Sequence, residues 1–525
     1  MKKVILIVLD GWGIAPPQPG NAPSQANIPA IKNIEEYYPA TILHASGINV
    51  GLPWWEEGNS EVGHLTMGCG QIIYQYLPRI ITAIQNGSFF ENPALIETIN
   101  YVKEKNSRLH LMGLVSSGAI HSYIDHLYAL LDLCKKNNIE KVFLHVFTDG
   151  RDTPQKEAVI FLQNLNQRLQ QGKLGEIATV SGRSFAMDRD ENWDRIKKVY
   201  QCLTEGEGKH ISNLTQYLEN SYQMGLTDEY IEPAVLNPEG IIKKNDGVIF
   251  FNFREDRAKE LTRAFVEENF KGFERKIRFN IGGEKPDLCF ATMTKYLENN
   301  PYIKVAFEPP KIENTLGKVI SDAGFFQLRI AETEKYAHVT YFFNGLKEKP
   351  FPGEDRVIIP SVGGPHYDKN PEMRALTITE KVIEEIKKEK YQFILVNFAN
   401  ADMVGHTGNL KAAIKAAEIL DGCVKKITEE SKNKYVTMIT ADHGNFEEMI
   451  NQKTGEIIGE HSSNPVPFYL VDLNLRSEFP QKKELEFQGE AGGFLFDIAP
   501  TILEYLEIKK PNEMTGISLL STLLR

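Results

Sequence analysis

The chain has only five cysteines, Cys69, Cys134, Cys202, Cys289 and Cys423, among 525 residues, and none sits at a paired spacing. A disulfide framework is therefore not expected, and free thiols in a reducing compartment are. Long hydrophobic runs are also missing. No run approaches the roughly 20 apolar residues of a membrane span. The run after Lys2 and Lys3 is too short for a signal-peptide core and stops at Asp10. Positive charge is in deficit, with 59 Lys and Arg against 70 Asp and Glu and a net charge of −11. That argues against a general nucleic-acid or membrane-surface partner, so an anionic substrate would need a local basic pocket. Repeats and low-complexity tracts do not stand out. The expectation is a soluble cytoplasmic protein of two domains, because 525 residues exceed what one hydrophobic core organises.

Three short apolar runs each lead to an aspartate: Val4 to Leu9 to Asp10, Phe393 to Phe398 to Asp402, and Tyr435 to Thr440 to Asp442. Apolar on both faces, they read as buried parallel strands. Ligands in open α/β sheets gather outside the carboxyl ends of the strands, so these three carboxylates are expected in one crevice. Charged amphipathic stretches such as Pro371 to Lys390 and Leu410 to Glu430 alternate with the strands. The pattern is that of an α/β protein with mainly parallel sheets.

The middle of the chain has another character. Leu109 to Val115 leads to Ser116, Ser117 and His121. Val142 to Phe147 leads to Asp149, Arg151 and Asp152. Ile177 to Val180 leads to Arg183 and Arg189, and Val248 to Phe253 leads to Arg254, Asp256 and Arg257. These strand ends would form a second, arginine-rich crevice. The economical architecture inserts one domain in another. Residues 1–75 and 312–525 form a metal-binding domain and residues 76–311 a substrate-binding insert, with crossings near Tyr74 to Pro78 and Glu308 to Lys311.

Asp402 and His406 stand four apart, on one face if the chain turns helically there. Asp442 and His443 form a second pair, and His461 lies in a polar loop. With Asp10 this is a mixed oxygen and nitrogen set, which suits Mn²⁺, Zn²⁺ or Fe²⁺ better than Mg²⁺ or Ca²⁺. Six ligands exceed one open catalytic site, so two metals are expected, an arrangement that clamps both oxygens of an in-line phosphoryl displacement. Gly58 to His64 reads as the start of a capped helix, with Ser60 at its N-terminus. Backbone N–H groups there favour an anion, and a neighbouring metal would make the serine a nucleophile. Arg151, Arg183, Arg189, Arg254 and Arg257 at corresponding strand ends suit a small substrate with more than one anionic group. Lys335 is read either as a bridge between the two domains or as a surface lysine. His121 and Asp152 are candidates for proton transfer or for contacts to substrate hydroxyls.

At this point the chain closely resembles the cofactor-independent phosphoglycerate mutases over essentially its whole length. The resemblance rests on Leu9 to Gly13, Gly58 to His64, His145 to Pro154, Ala186 to Asp190, Phe251 to Ala258, Ala331 to Thr340, Asn400 to Gly408, Thr440 to Asn445 and Asn464 to Pro467. It implies an alkaline-phosphatase-like metal domain with an inserted α/β phosphotransferase domain, and interconversion of 3-phosphoglycerate and 2-phosphoglycerate in glycolysis and gluconeogenesis, without 2,3-bisphosphoglycerate. Two Mn²⁺ are implied, one held by Asp402, His406 and His461, the other by Asp10, Ser60, Asp442 and His443. Ser60 would be the phosphorylated nucleophile. His121, Arg151, Asp152, Arg183, Arg189, Arg254, Arg257 and Lys335 would bind substrate, with Asp152 an acid/base and Lys335 stabilising the transferring group. The family also suggests a monomer whose two domains close over the intermediate. The chain departs from the usual pattern at Trp54 to Glu57, at Ser184-Phe185, at Glu255 and at Ser361 to His366. The rival reading is a metal-dependent phosphatase or phosphopentomutase on the same metal domain, which leaves the size of the insert and its arginines unexplained.

Overall fold

The computed structural model describes residues 2–279, 287–362, 364, 366–480 and 491–524. The chain divides into two compact units, Met1–Gln75 with Pro310–Arg525, and Tyr76–Pro309. The second crossing falls inside the Glu308 to Lys311 link.

The first unit is built on an eight-stranded sheet among the described residues. Its order is Glu354–Ile359, Gln327–Glu332, Phe393–Phe398, Lys3–Leu9, Tyr435–Thr440, Val466–Val471, Ala40–His44 and Gly493–Phe494. The three aspartate-led strands lie side by side at its centre, and both neighbours of Lys3–Leu9 run parallel to it. Val4 to Leu9 and Phe393 to Phe398 are buried throughout, as expected of strands covered on both faces. Val466–Val471 runs antiparallel to its two neighbours. The helix Leu410–Ser431 covers the sheet with Ala413, Ala417, Leu420, Val424 and Ile427, spaced three and four apart. Asn409 caps it by accepting from the Ala412 N–H.

The second unit has its own eight-stranded sheet among the described residues, in the order Ile303–Phe307, Cys289–Thr294, Gly247–Phe250, Leu109–Leu114, Val142–Thr148, Glu176–Gly182, Ala234–Val235 and Lys209–His210. Ala234–Val235 is antiparallel to Glu176–Gly182. Each unit has its own apolar core. All five cysteines are buried free thiols. No helix among the described residues is long and apolar enough to cross a membrane. Of the unusual Ser361 to His366 segment, Gly363 and Pro365 lie outside the described residues. Trp54 and Trp55 are both exposed.

Candidate functional site

The carboxyl ends of the three central strands of the first unit bring Asp10, Asp402 and Asp442 together. Asp402 does not end its strand. It sits in the short helix Asn400–Gly405 that follows, and His406 caps that helix, which puts the pair on one face. The backbone N–H of Asp402 donates to the Asp10 carbonyl at 2.9 Å, pinning the two loops to each other.

Ser60 opens the helix Ser60–Cys69, capped by Asn59, whose side chain accepts from the Val62 N–H at 3.1 Å. Gly63 on this helix lies against Asp442. A Cβ there would come within 2.6 Å of the Asp442 carbonyl oxygen, so the missing side chain lets the helix N-terminus reach the strand ends. Ser60 Oγ ends 3.1 Å from Asp10 Oδ1, 3.0 Å from His443 Nε2 and 2.6 Å from Lys335 Nζ.

The orientation of the histidines decides what they can do. His406 Nδ1 lies 2.6 Å from the Gly459 carbonyl, His461 Nδ1 2.8 Å from that of Gly58, and His443 Nδ1 3.1 Å from that of Gly444. A carbonyl only accepts, so each Nδ1 carries a proton and each Nε2 is turned toward the aspartates. Nε2 of His406 and Nε2 of His461 lie 3.2 Å apart, and they are 3.1 and 3.2 Å from Asp402 Oδ1. Three donor atoms so spaced match the edges of a coordination polyhedron with metal bonds of about 2.0–2.2 Å.

The second cluster joins Asp10, Ser60, Asp442 and His443. Asp442 Oδ1 accepts from the N–H groups of Gly11 and His443, at 3.2 and 3.1 Å. Its other oxygen, Oδ2, is fully buried, with His64 Nδ1 3.2 Å away but turned to the Ser60 carbonyl. Buried carboxylates grouped with a serine hydroxyl and an imidazole Nε2 are a donor set that fits a cation.

Proximity alone groups the donor atoms differently, as Asp402, His443 and His461, and as Asp10, His64 and Asp442, each within 4.8 Å. The hydrogen bonds argue against His64 as a ligand. Its Nδ1 is 2.9 Å from the Ser60 carbonyl and its Nε2 is 3.2 Å from Asn397 Nδ2, so both ring nitrogens are engaged. Asn397 also donates to Asp10 Oδ2 at 2.7 Å, and Asn445 to Asp402 Oδ1 at 2.9 Å. The sequence reading gave none of these three a role. The visible signals were the lone polar residue inside the buried run Phe393–Phe398 and the four-residue spacing of Ser60 and His64.

Lys335 is not a surface lysine. It is buried, with Nζ 2.6 Å from Asp10 Oδ1 and 2.7 Å from Asp402 Oδ2. Burial opposes its charge, but Asp10, Asp402 and Asp442 hold the ammonium well above the ordinary lysine range. Burial alone would raise the Asp402 carboxyl. Lys335, with His406, His461 and His443, instead holds it far below the carboxylate range. Burial would likewise lower His443, but Asp442, Asp10 and Asp402 push it up to about 10. The pocket is a sink for cations. A cavity of about 390 Å³, lined by Glu56, Glu57, Asn59, His406, Glu460 and His461, opens beside it.

The second unit gathers the other predicted residues. Asp149 is buried and accepts from Ser116 Oγ at 2.5 Å, from the N–H groups of Arg151 and Asp152, and from Arg183 Nη1 at 2.6 Å. The same Arg183 nitrogen reaches Asp152 Oδ2 at 2.6 Å. Asp149 and Arg183 thus fix the loop that carries Arg151 and Asp152. Asp256 draws in Arg189 at 3.2 Å, Arg254 at 3.3 Å and His121 Nδ1 at 3.6 Å. Burial and the charge of Arg183 hold His121 below the ordinary imidazole range, so it is neutral near pH 7. Arg257 donates to the Met187 carbonyl at 3.2 Å. Burial and the charges of Arg189, Arg183 and Arg151 lower its proton affinity. The side chains of Arg151, Arg189 and Arg254 are about half exposed, so their donors are open to an anion. Asp149 and Asp256, which organise this cluster, were named at their strand ends but given no role.

Comparison with known proteins places these features in context. Residues 80–298 match the family model described as the N-terminus of the BPG-independent PGAM family. The chain is 48% identical over 524 residues to the 2,3-bisphosphoglycerate-independent phosphoglycerate mutase of Clostridium botulinum, covering 99% of each. It is 47% identical over 524 residues to that of Moorella thermoacetica, covering 99% of this chain and 98% of the relative. Among solved structures, the Leishmania mexicana phosphoglycerate mutase at low cobalt concentration matches with a TM-score of 0.55 and 28% identity, over 98% of this chain and 97% of that one.

Proposed function

Because the chain belongs to the 2,3-bisphosphoglycerate-independent phosphoglycerate mutases, we propose that it interconverts 3-phosphoglycerate and 2-phosphoglycerate through a phosphoserine at Ser60, with two Mn²⁺ bound in the first unit. The observation that carries this reading is the common ring orientation of His406, His443 and His461. All three present Nε2 to the aspartate cluster in which Ser60 Oγ lies. Asp402, His406 and His461 would hold one metal, and Asp10, Ser60, Asp442 and His443 the other. When bound, the metals would supply Lewis-acid stabilisation of phosphoryl charge and lower the pKa of the serine hydroxyl. Other divalent transition metals suit the same donors.

In this mechanism Ser60 Oγ attacks the phosphorus of bound phosphoglycerate and takes its phosphoryl group. Lys335, 2.6 Å from that oxygen, stabilises the charge on the transferring group. The N-terminus of the Ser60–Cys69 helix favours the phosphoserine that results. The proton that Ser60 gives up passes to the leaving glycerate oxygen, with Asp152 as the carboxylate that relays it. Arg257, Arg254, Arg189 and Arg151 hold the glycerate carboxylate, while Arg183 and His121 shape the pocket. Glycerate then turns without leaving, and its other hydroxyl takes the phosphoryl group back while that hydroxyl's proton returns through Asp152 to Ser60. Water must be kept from the phosphoserine meanwhile. The reading also assigns the protein to the cytoplasm, in glycolysis and gluconeogenesis, as a monomer. Its five unpaired buried thiols support a reducing compartment.

The test is an assay of purified protein on 3-phosphoglycerate with Mn²⁺ and no 2,3-bisphosphoglycerate, following 2-phosphoglycerate and free phosphate together. Formation of 2-phosphoglycerate that a chelator abolishes is expected. Steady release of phosphate without 2-phosphoglycerate would make the protein a phosphatase instead.

A further inference from the structure

Glu447 is fully buried, and the hydrogen bonds its carboxylate makes among the described residues go to Gly13, Asn445, Ser462 and Asn464, none of them a proposed ligand. Its Oε2 accepts from the backbone N–H of Gly13 at 3.1 Å and from that of Asn445 at 2.8 Å. Its Oε1 accepts from Asn464 Nδ2 at 3.0 Å and from Ser462 Oγ. Every partner is a donor, which matches an acceptor-only carboxylate. The partners belong to three loops. Gly13 follows Asp10, Asn445 follows Asp442 and His443, and Ser462 and Asn464 follow His461. One side chain therefore ties together the three segments that carry four of the proposed metal ligands: Asp10 after Lys3–Leu9, Asp442 and His443 after Tyr435–Thr440, and His461 in the later polar loop.

The seat is shaped for this carboxylate. A Cβ at Gly13 would fall 2.3 Å from Glu447 Cδ, and one at Gly444 would fall 2.5 Å from Glu447 Oε1. The second glycines of Gly11-Trp12-Gly13 and the glycine after His443 thus leave the space that Glu447 fills. Gly444 and Ser462 also pair as an isolated bridge, which holds the His443 and His461 loops edge to edge at the same place.

Resting on the two-metal reading, we propose that Glu447 is a positioning residue that sets metal affinity by holding Asp10, Asp442, His443 and His461 in register. It acts through the loops and not on substrate. Partners that orient ligands in this way typically change metal affinity by about 10- to 100-fold when removed.

The experiment is calorimetric titration of the metal-free full chain with Mn²⁺, for the parent, Glu447→Gln and Ser462→Ala, beside thermal unfolding of each metal-free protein. In Glu447→Gln the amide N–H faces donors in either flip, so Mn²⁺ affinity should fall about 10- to 100-fold. Ser462→Ala removes a single donor and should give a smaller fall, even if Glu447→Gln fails to fold. A lowered melting temperature with Mn²⁺ affinity within twofold of the parent, in either variant, would mean a merely structural carboxylate and overturn the inference. A parent that takes up no Mn²⁺ would overturn the metal reading, and this inference with it, so the two failures are distinguishable.

Discussion

Lys335 Nζ stands 2.6 Å from Ser60 Oγ while also reaching Asp10 and Asp402. A buried cation thus holds the proposed nucleophile and two proposed ligands at once. Its removal has a signature of its own. Lys335→Met keeps most of the volume but leaves two buried carboxylates without their lysine. The metal-free variant should lose stability, by about 3–5 kcal/mol in a chemical denaturation series. With Mn²⁺ added, turnover should remain down by about 10²- to 10³-fold, the usual cost of one transition-state charge contact. Full activity in the loaded variant would remove Lys335 from the mechanism.

Ser60→Ala should abolish mutase turnover with the fold intact, a loss on the order of 10⁴-fold or more for a covalent nucleophile. Circular dichroism and Mn²⁺ titration check the fold and the site. Retention of label after incubation with ³²P-phosphoglycerate should occur in the parent and not in the variant. Appreciable 2-phosphoglycerate from Ser60→Ala would sink the covalent route.

Metal removal should act on stability as well as on turnover. A ligand present at 100 times its Kd raises the unfolding free energy by about 2.7 kcal/mol. Chelated protein should therefore melt at lower temperature than protein with excess Mn²⁺, and the difference should shrink in Asp442→Asn, which removes a buried carboxylate from the proposed donors. An unchanged melting curve on adding Mn²⁺ would contradict the proposed site.

The arginine cluster predicts a division of effects. Arg254 and Arg257 to Met should raise KM, by about tenfold or more, if they bind the glycerate carboxylate in both ground and transition states. Asp149→Asn should be costlier to the fold, because it breaks a buried pair with Arg183 and frees the loop of Arg151 and Asp152. Steady-state kinetics and urea melts on the three variants separate the two outcomes.

His126, in the second unit, supplies a pH dependence of its own. Its ring is buried beside Tyr123 and Phe253, and neither nitrogen has a hydrogen-bond partner among the described residues. Burial pushes it down to about 3, against 6.5 when exposed. The unfolded chain therefore binds the extra proton first as pH falls. The contribution of this residue to stability is complete above about pH 6.5 and is lost progressively toward pH 3. Lowering the pH from 7.5 to 5 should cost the parent about 2 kcal/mol through this residue, and His126→Phe should remove that part. Urea melts at the two pH values measure it. An identical pH slope in parent and variant would refute the assignment.

The parts of this site that follow strand ends were legible in the sequence, because a strand buried on both faces must read as an uninterrupted apolar run. Asp10 and Asp442 stand directly after such runs, and the arginines of the second unit follow the same rule. His64, Asn397, Asn445, Asp149 and Asp256 were not given roles, because part of the work of each is a contact to a residue distant in sequence. Asn397 meets Asp10 across 387 positions and Glu447 meets Gly13 across 434. Residue type alone cannot separate such a polar side chain from an ordinary turn former. Lys335 stayed open between two readings for the same reason, since its burial depends on acids from distant segments.

The pairing of Lys3–Leu9 has a consequence during synthesis. This strand leaves the ribosome well before its two neighbours in the sheet, which begin at Phe393 and Tyr435. At ordinary elongation rates the wait is on the order of half a minute. Over that time the strands of Tyr76–Pro309 acquire all their sheet partners, while an apolar segment near the amino terminus has none of its own. A ribosome stalled before residue 393 would thus hold a nascent chain with one finished sheet and one exposed, aggregation-prone β-segment, the kind of surface that holding chaperones bind.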